Sequence, residues 1–457
     1  MKRAALHNLG CKVNAYEMDI MQQNLQENGY RIVPFDEIAD IYIVNTCTVT
    51  NIADRKSRQM LHQAKKRNPD AVVVAVGCYV QVTDPEALQK EGIDLAVGNN
   101  RKKDLIPILN EFLASRHVPD EAVTDVNAPC DYEEMTLKHT AEHTRAFIKI
   151  QDGCNQFCSY CIIPYARGRV RSRRYEDIRR EMEGLAASGY KEVVLTGIHI
   201  SSYGIDFDEK AWEQGASVIR QKQDGRRDYA GSSRLIDLIE KLQDIEGIER
   251  IRLGSLEPRI VTQDAVRRMA ALSKLCPHFH LSLQSGCDET LQRMNRHYTT
   301  GEYLEGVERL RSAFDHPAIT TDVIVGFPGE TEEEFAQTEA FLREAKLYEM
   351  HIFKYSRRKG TRAATMPGQV AGSEQSRRSA KLLLLEKECS HRYREYYIDR
   401  TLPVLFEEEK EINGIRYQIG HSREYVKVAR KTEHCLTGQI VTGRITGFLQ
   451  EDILLME

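Results

Sequence analysis

Three cysteines stand close together in the stretch DGCNQFCSYC, where Cys154, Cys158 and Cys161 follow the spacing C-x3-C-x2-C. Structural zinc needs four ligands in a closed tetrahedron, usually from paired C-x2-C units, and no second pair lies nearby. A [4Fe–4S] cluster held by three thiolates leaves one iron open to a reactant. The spacing therefore predicts such a cluster. Three buried structural thiols are the alternative.

A second trio is spread over the N-terminal part of the chain. Cys11 in LGCKVN, Cys47 in NTCTVTN and Cys78 in VGCYV each stand at or just past the end of a predicted parallel strand. The carboxyl ends of parallel strands share one edge in a doubly wound sheet, so these thiols are expected to converge. A count of three again favours a cluster with an open iron over closed zinc. Buried cysteines at strand ends are the alternative.

The remaining cysteines receive no such role. Cys276 would share a strand face with His278 and His280, but consecutive ligands on one strand rarely close a tetrahedron, so ordinary lining is expected. The others are isolated in the sequence: Cys130, Cys287, Cys389 and Cys435.

The elements that position both trios predict an α/β fold class. Residues 1–113 alternate strand and helix patterns, which predicts a doubly wound parallel sheet. Residues 114–139 are polar and predict a linker. Residues 140–372 repeat the strand and helix alternation about six times, which predicts an incomplete (βα)6 barrel. Residues 373–457 predict a helix followed by a small antiparallel β-barrel.

One segment of the predicted (βα)6 barrel breaks the alternation. From Gly204 to Ser233 the chain is polar and charged, contains Gly, and holds the sole tryptophan, Trp212. We predict a mobile surface insertion there.

Composition limits the classes of protein to consider. The chain has 457 residues, a net charge of -4 and eleven cysteines. From its first residues and its longest apolar run we expect neither a signal peptide nor a segment that spans a bilayer. An odd number of cysteines without a secretory signal predicts thiols in a reducing cytoplasm, not a disulfide framework. No membrane partner is expected.

Basic residues are concentrated beside the first trio. Nine Lys or Arg face three acids between Arg145 and Arg180, whereas residues 385–457 are slightly acidic and support RNA binding only weakly. Candidate contacts to RNA phosphates are Arg167, Arg169, Arg171, Arg173 and Arg174, with Arg55, Lys56 and Arg58 in DRKSRQ. Solvated charged faces are the alternative.

The first trio, with aromatic Tyr160 before its last cysteine and a strand directly before it, resembles the radical S-adenosylmethionine (SAM) superfamily. The resemblance implies that the amino and carboxylate groups of SAM bind the open iron, and that an electron then splits SAM to a 5′-deoxyadenosyl radical. It also implies a set of SAM-binding residues: Tyr160, Thr196, Gly197, Gln284, Ser285, Val325 and Gly326.

Over the whole chain the motifs resemble the radical-SAM methylthiotransferases. These motifs are LGCKVNAYE, VNTCTVTN, VGCYVQ, DGCNQFCSYCIIPYARGRVRSR, LSLQSGCDETLQRMNR and VGFPGETEEEF. The resemblance implies a methylthiotransferase domain, a radical-SAM core and a TRAM-type RNA-binding barrel. GCKVNAYE and NTCTVTNIADRKSRQ are most similar to the branch that modifies N6-threonylcarbamoyladenosine at position 37 of tRNA.

This resemblance implies a division of labour between two [4Fe–4S] clusters. The cluster on Cys154, Cys158 and Cys161 would reduce one SAM so that hydrogen is removed from C2 of adenine. The cluster on the second trio would deliver sulfur, and a second SAM would supply the methyl group. No catalytic residue beyond the cluster ligands is expected.

The expected partners are the tRNA anticodon stem-loop, an electron donor such as flavodoxin or ferredoxin, and a sulfur donor of unidentified kind. Two alternatives remain open at this point. One is a methylthiotransferase acting on an aspartate of a ribosomal protein. The other is a non-catalytic, zinc-stabilised RNA-binding protein.

Overall fold

The computed structural model describes residues 1–139, 144–207, 219–221, 227–229 and 232–457. The first part of the chain is a five-stranded parallel sheet between two layers of helices. Its strands are β1 (Arg3–Asn8), β2 (Arg31–Val33), β3 (Ile41–Thr46), β4 (Val72–Gly77) and β5 (Leu95–Val97). Its helices are α1 (Lys12–Glu27), α2 (Asn51–Arg67), α3 (Cys78–Val82), α4 (Pro85–Lys90) and α5 (Leu105–Ser115).

The order of this sheet places the second trio at one edge. The strands run β2-β1-β3-β4-β5, and every pair is parallel. Residues of α1 and α5 pack on one face and residues of α2, α3 and α4 on the other. Because helices cover both faces, β3 and β4 are buried along their whole length. The order reverses between β1 and β3, so a crevice opens at their carboxyl ends.

Within residues 114–139, the first two residues end α5, and the rest contain one short 3-10 turn and otherwise irregular structure. The segment is not detached from its surroundings, because Met135 and Leu137 are buried in the core of the middle region. Residues 140–143 lie outside the described part.

The middle of the chain supplies six parallel strands. They are β6 (Ala146–Asp152), β8 (Glu192–Gly197), β11 (Arg250–Leu253), β12 (His278–His280), β13 (Ala318–Val325) and β14 (Glu349–Lys354). Short β7 (Arg171–Ser172) pairs antiparallel with β6. The helices are α6 (Ile163–Arg167), α7 (Tyr175–Ala187), α8 (Ser232–Lys241), α9 (Gln263–Ala270), α10 (Asp288–Arg293), α11 (Thr300–Ala313) and α12 (Glu332–Ala345).

These strands form two sheets, β11-β8-β6-β7 and β12-β13-β14. Isolated parallel bridges at Ile251–Leu275 and Leu256–Leu281 connect them. The predicted insertion at residues 204–233 includes a short antiparallel pair, β9 (Ile219–Gln221) and β10 (Arg227–Tyr229). Most of that segment, with Trp212, lies outside the described residues.

The last part of the chain is α13 (Gly372–Glu395) and a closed five-stranded barrel. Its strands are β15 (Thr401–Ile412), β16 (Ile415–Ser422), β17 (Lys427–Lys431), β18 (Ile440–Gln450) and β19 (Ile453–Met456). Four pairs are antiparallel, but β17 and β19 pair in parallel. The predicted all-antiparallel pattern is wrong at this pair, because a closed ring of five strands cannot alternate direction at every step.

The barrel packs against the amino ends of the middle strands. Arg250 of β11 donates to Pro403 O (2.8 Å) and Arg252 donates to Arg423 O (2.8 Å). The opposite, carboxyl edge is therefore left for the loops that carry the first trio. No helix within the described residues is both long and apolar enough to cross a membrane.

Candidate active site

The first trio lies in the loop between β6 and α6, and each of its thiols is partly exposed. The loop folds back on itself: the Cys154 N–H donates to Gly168 O (3.0 Å) and the Cys161 N–H to Cys158 O (2.9 Å). Burial, with the neighbouring Cys158 thiol, raises the pKa of Cys154 to about 12. Neighbouring thiols disfavour each other's ionisation because their negative charges repel. A positively charged metal centre bound between them would offset this repulsion and stabilise all three as thiolates.

A glycine makes this loop possible. Gly153 has a φ of 70°, and a Cβ there would stand 1.8 Å from Arg169 O. No side chain fits at that distance. The start of the trio is thereby packed directly on the residues that follow it.

A half-buried arginine contacts one thiol of the first trio. Arg296 Nη1 lies 3.3 Å from Cys158 Sγ, while Nη2 donates to Ser282 O (3.2 Å). Hydrogen bonds to ligand sulfurs stabilise their negative charge and tune a cluster's potential. The sequence interpretation missed Arg296, although its place at the end of the motif LQRMNR was a usable signal.

The second trio converges at the carboxyl edge of the N-terminal sheet. Cys47 and Cys78 are buried and Cys11 is exposed. A Cβ at Gly10 would stand only 3.1 Å from Cys47 Sγ, which shows how closely the loop after β1 approaches the loop after β3. Burial, together with the Cys78 and Cys11 thiols, raises the pKa of Cys47 to about 12.

Neither trio is drawn into a closed zinc site. Among the described residues, one group of three or more ligand atoms lies within 4.8 Å of one another, and it consists of His280, Asp322 and His351. Tetrahedral zinc would hold its thiolates closer together than these trios stand. In neither trio do all three Sγ atoms lie within that distance of one another. Of the three residues Cys276, His278 and His280, only His280 belongs to this group.

A single guanidinium joins the two trios. Arg167 ends α6, six residues after Cys161, and its Nε donates to Cys78 Sγ (3.3 Å). Asn99 also donates to Cys78 Sγ (3.6 Å) and to Ala166 O (2.7 Å). The seam between the N-terminal sheet and the middle strands therefore brings the second trio against the end of the first trio's loop.

The guanidinium of Arg167 also pairs with two buried carboxylates. Arg167 Nη1 lies 2.9 Å from Glu17 Oε1 and 3.1 Å from Asp152 Oδ2, and Lys149 bridges the same two acids. Lys102 pairs with Glu17 as well. Burial alone would raise the pKa of Glu17, but these cations hold that pKa well below its usual value. Opposite charges thus compensate each other inside the seam.

Three of the arginines predicted to contact RNA phosphates are buried, so that prediction is wrong for them. Arg167 pairs as described above. Arg171 donates to Asn100 Oδ1 (3.0 Å), and Arg173 donates to Glu134 Oε1 (2.9 Å) and pairs with Glu181. These three side chains lie in the interior, where acids from other elements neutralise Arg167 and Arg173.

The other predicted phosphate contacts remain accessible to different degrees. Arg169 is exposed and stacks over the Phe157 ring (4.7 Å). Arg174, Arg55 and Lys56 are exposed. Arg58 is half-buried beside the Tyr79 ring (5.9 Å).

The residues predicted for SAM lie at the carboxyl edge of the middle strands. Thr196 and Gly197 end β8, and a Cβ at Gly197 would stand 2.8 Å from Gln151 O. Val325 ends β13, and Gly326 follows it with a φ of 71°. The end of β8 lies beside the loop of the first trio, because that loop follows β6, which pairs with β8. The end of β13 belongs to the other sheet.

The remaining predicted SAM contacts differ in accessibility. Gln284 has a φ of 74° and bridges to Val323 of β13. Ser285 is buried, and its hydroxyl pairs with Thr338 of α12 (3.2 Å). The Tyr160 ring meets the Phe327 ring edge-on with centroids 6.4 Å apart.

A histidine–aspartate–histidine group on the middle strands was not predicted. Asp322 Oδ1 lies 3.1 Å from His351 Nδ1, and Oδ2 lies 3.4 Å from His280 Nε2. The three residues sit on neighbouring strands, β12, β13 and β14. Sequence spacing could not reveal the group, because its members are about 30 to 40 residues apart and meet only through strand pairing.

Comparison with known proteins agrees with this architecture. Residues 148–342 match the Radical SAM superfamily, and residues 3–98 match the uncharacterized protein family UPF0004. Among solved structures, the radical SAM methyltransferase TsrM from Kitasatospora setae is similar in fold, with a TM-score of 0.54, 16% identity, and coverage of 79% of this chain and 77% of that one.

Two curated relatives match nearly the full length. Threonylcarbamoyladenosine tRNA methylthiotransferase MtaB of Bacillus subtilis (strain 168) is 37% identical over 446 residues, covering 97% of this chain and 94% of that protein. The tRNA-2-methylthio-N(6)-dimethylallyladenosine synthase of Pelotomaculum thermopropionicum is 33% identical over 453 residues, covering 98% and 96%. With this extent of similarity, the chain belongs to the radical-SAM methylthiotransferase family.

Proposed function

We propose that this enzyme methylthiolates C2 of N6-threonylcarbamoyladenosine at position 37 of tRNA. Relatives with the name of that activity align over nearly all of the chain. The family uses SAM and two [4Fe–4S] clusters. The structural observation that carries the proposal is the contact between Arg167 and Cys78, because it sets the second trio against the loop of the first.

In this proposal each trio holds one cluster. Cys154, Cys158 and Cys161 hold the cluster that binds SAM, and the trio Cys11, Cys47 and Cys78 holds the other. Held there, the cluster and SAM would supply the radical chemistry that the unactivated C2–H bond of adenine requires. The thiols of both trios fit such groups because each set offers three ligands and leaves a position open.

The chain's own residues orient and stabilise these ligands. Arg296 donates to Cys158 and Arg167 to Cys78, so each trio has one thiolate with a guanidinium partner. Gly197 and Gly326 allow close packing at these strand ends, because a Cβ at Gly197 would stand 2.8 Å from Gln151 O and one at Gly326 would stand 2.4 Å from Gln375 Cγ. Exposed Arg169 and Arg174 are available to the phosphates of an anticodon stem-loop.

Several finer parts belong to the same proposal. The domains are residues 1–113, the linker 114–139, the radical-SAM core 140–372, and the helix with a TRAM-type barrel 373–457. The incomplete (βα)6 barrel is formed by the six parallel strands.

Flavodoxin or ferredoxin supplies electrons, and the enzyme works in the cytoplasm.

Nucleoside mass spectrometry tests the proposed activity. Total tRNA from cells that carry the gene should contain 2-methylthio-N6-threonylcarbamoyladenosine, and tRNA from cells lacking it should contain only the precursor. Restoring the chain should restore the modified nucleoside. An unchanged nucleoside profile in the deletion strain would refute the assignment. A loss of the methylthio form of isopentenyladenosine instead would move the enzyme to the other tRNA branch.

A further inference from the structure

The ammonium group of Lys12 lies next to the second trio and has no partner among the described residues. Lys12 begins α1, directly after Cys11, and its side chain is exposed. It makes no hydrogen bond or ion pair with any residue that the structure describes. The charged groups near enough to act on it are the cations Arg145 and Arg252, the carboxylate Glu192 and the Cys11 thiol.

The groups around Lys12 are themselves buried, whereas its own side chain is exposed to solvent, so the ammonium opens into a recess that these groups line. Arg252 is 1% exposed and His278 is 6% exposed. Arg145 is held over the Tyr425 ring, at 5.0 Å. The recess therefore lies between the start of α1 and the middle strands β11 and β12, beside the second trio.

The recess carries an excess of positive charge. Its carboxylates are already shared: Glu192 lies 2.8 Å from Arg252 and 3.8 Å from Arg145, and Glu407 lies 3.1 Å from Arg145. The cations outnumber these two acids once Lys12 is added. A second donor site is also open, because Nδ1 of His278 is buried without a hydrogen-bond partner among the described residues.

An unpaired ammonium, a cationic wall and a buried unpaired ring nitrogen are the features of a carboxylate site. The substrate named above carries one carboxylate, on the threonyl group attached to N6. In the adenine ring only N1 and C6 separate that nitrogen substituent from C2. A site adjoining Cys11 can therefore reach the carboxylate while C2 faces the second trio.

We propose that Lys12, assisted by His278 and Arg145, binds the threonyl carboxylate and so selects this substrate over adenosines with uncharged N6 groups. The inference rests on the proposed function. It assigns specificity to the residue after the first cysteine, which has no role in holding either cluster.

The test pairs two substrates with two variants of the full-length, cluster-loaded enzyme. The substrates are synthetic anticodon stem-loop RNAs that carry either N6-threonylcarbamoyladenosine or its threoninamide counterpart, in which the carboxylate is replaced by a neutral amide. The enzymes are wild type, Lys12→Gln and Lys12→Arg. Lys90→Gln, at the exposed end of α4, is the matched control.

Wild type should lose about 10- to 100-fold in kcat/KM when the carboxylate becomes an amide, the range expected for a charge-assisted hydrogen bond. With the carboxylate RNA, Lys12→Gln should have a kcat/KM lower than that of wild type by the same factor. With the amide RNA, Lys12→Gln and wild type should have the same kcat/KM. Lys12→Arg should keep most of the preference. Lys90→Gln should behave as wild type.

The outcomes separate this inference from the proposed function. Equal wild-type rates on both RNAs, or a full preference retained by Lys12→Gln, would overturn the carboxylate site. No methylthio product from either RNA would instead overturn the proposed function. The iron content of Lys12→Gln shows whether this variant still holds both clusters. If it does not, the rates of the wild-type enzyme on the two RNAs still test whether the carboxylate is recognised.

Discussion

Arg167 illustrates how much one residue does at the seam. Its Nε contacts Cys78, its Nη1 contacts Glu17 and Asp152, and its Nη2 contacts Asn14 at 2.6 Å. The side chain is fully buried. Removing the guanidinium would leave buried carboxylates with fewer partners, which costs more than the ion pair itself contributes.

We predict that Arg167→Gln lowers the free energy of unfolding by about 3 kcal/mol, the cost typical of breaking a buried charge pair. Urea unfolding of the metal-free protein measures this directly. Arg174→Gln is the control, because Arg174 is exposed, and its effect should stay within about 0.5 kcal/mol. Equal, small effects of both substitutions would show that the seam does not depend on Arg167.

The two trios should fail differently when one thiol is removed. Cys154→Ala should abolish SAM cleavage, measured as 5′-deoxyadenosine, because the ligand set that presents SAM is broken. Cys47→Ala should still cleave SAM but form no methylthio product. Cys435→Ala is the control, since Cys435 is exposed on the C-terminal barrel. Normal product from either ligand variant would contradict the division of roles.

At the scale of elements, the loop after β6 depends on a close backbone approach. Gly153 has a left-handed φ, and Arg169 O occupies the place of a Cβ. Gly189, after α7, also has a positive φ of 92°, but no atom lies within 4 Å of its Cβ position. A side chain at Gly189 would therefore cause backbone strain alone, whereas one at Gly153 would cause both backbone strain and a steric clash.

Gly153→Ala should therefore prevent the first cluster from assembling, with loss of about half the iron and of all SAM cleavage. Gly189→Ala should cost only about 1 kcal/mol of stability, from φ strain, and keep full iron content. Iron analysis and absorption spectra of the reconstituted proteins provide the measurement. A fully loaded Gly153→Ala protein would show that the loop can move aside.

At the scale of the whole molecule, a buried acid anchors the strands where the C-terminal barrel docks. Glu192 begins β8 and pairs with Arg252 (2.8 Å) and Arg250 (3.5 Å), and both arginines also donate to barrel carbonyls. Burial alone would raise the pKa of Glu192, but Arg252 and its neighbours lower that pKa to about 2. The ionised form is therefore the one that the fold stabilises.

The depressed pKa fixes the direction of a pH effect. Stability from ionised Glu192 is present above the ordinary glutamate pKa and is lost as pH falls toward 2. Glu192→Gln should cost about 3 kcal/mol at pH 7 and about half of that at pH 3. Urea unfolding at the two pH values tests this, with exposed Glu111→Gln as a control that changes little at either. A penalty that does not shrink in acid would contradict the assignment.

Local patterns were enough for much of the architecture. The sequences of β3 and β4 are largely continuous apolar runs, and in HFHLSL the apolar residues Phe279 and Leu281 alternate with polar ones and lie in the core. Strands of three residues, such as β2 and β5, leave no such signal, because so short a run has no periodicity to detect.

The sequence by itself determined the six cysteines and their division into two sets of three, because spacing and position after strands are local properties of the chain. Only the tertiary structure decided which charges are available. The arginine run beside the first trio was expected to contact RNA phosphates, yet Arg167, Arg171 and Arg173 are buried, and acids from other elements pair with Arg167 and Arg173. Lys12, in contrast, pairs with no residue that the structure describes. Charge pairing depends on which segments meet in space, and no local pattern encodes that.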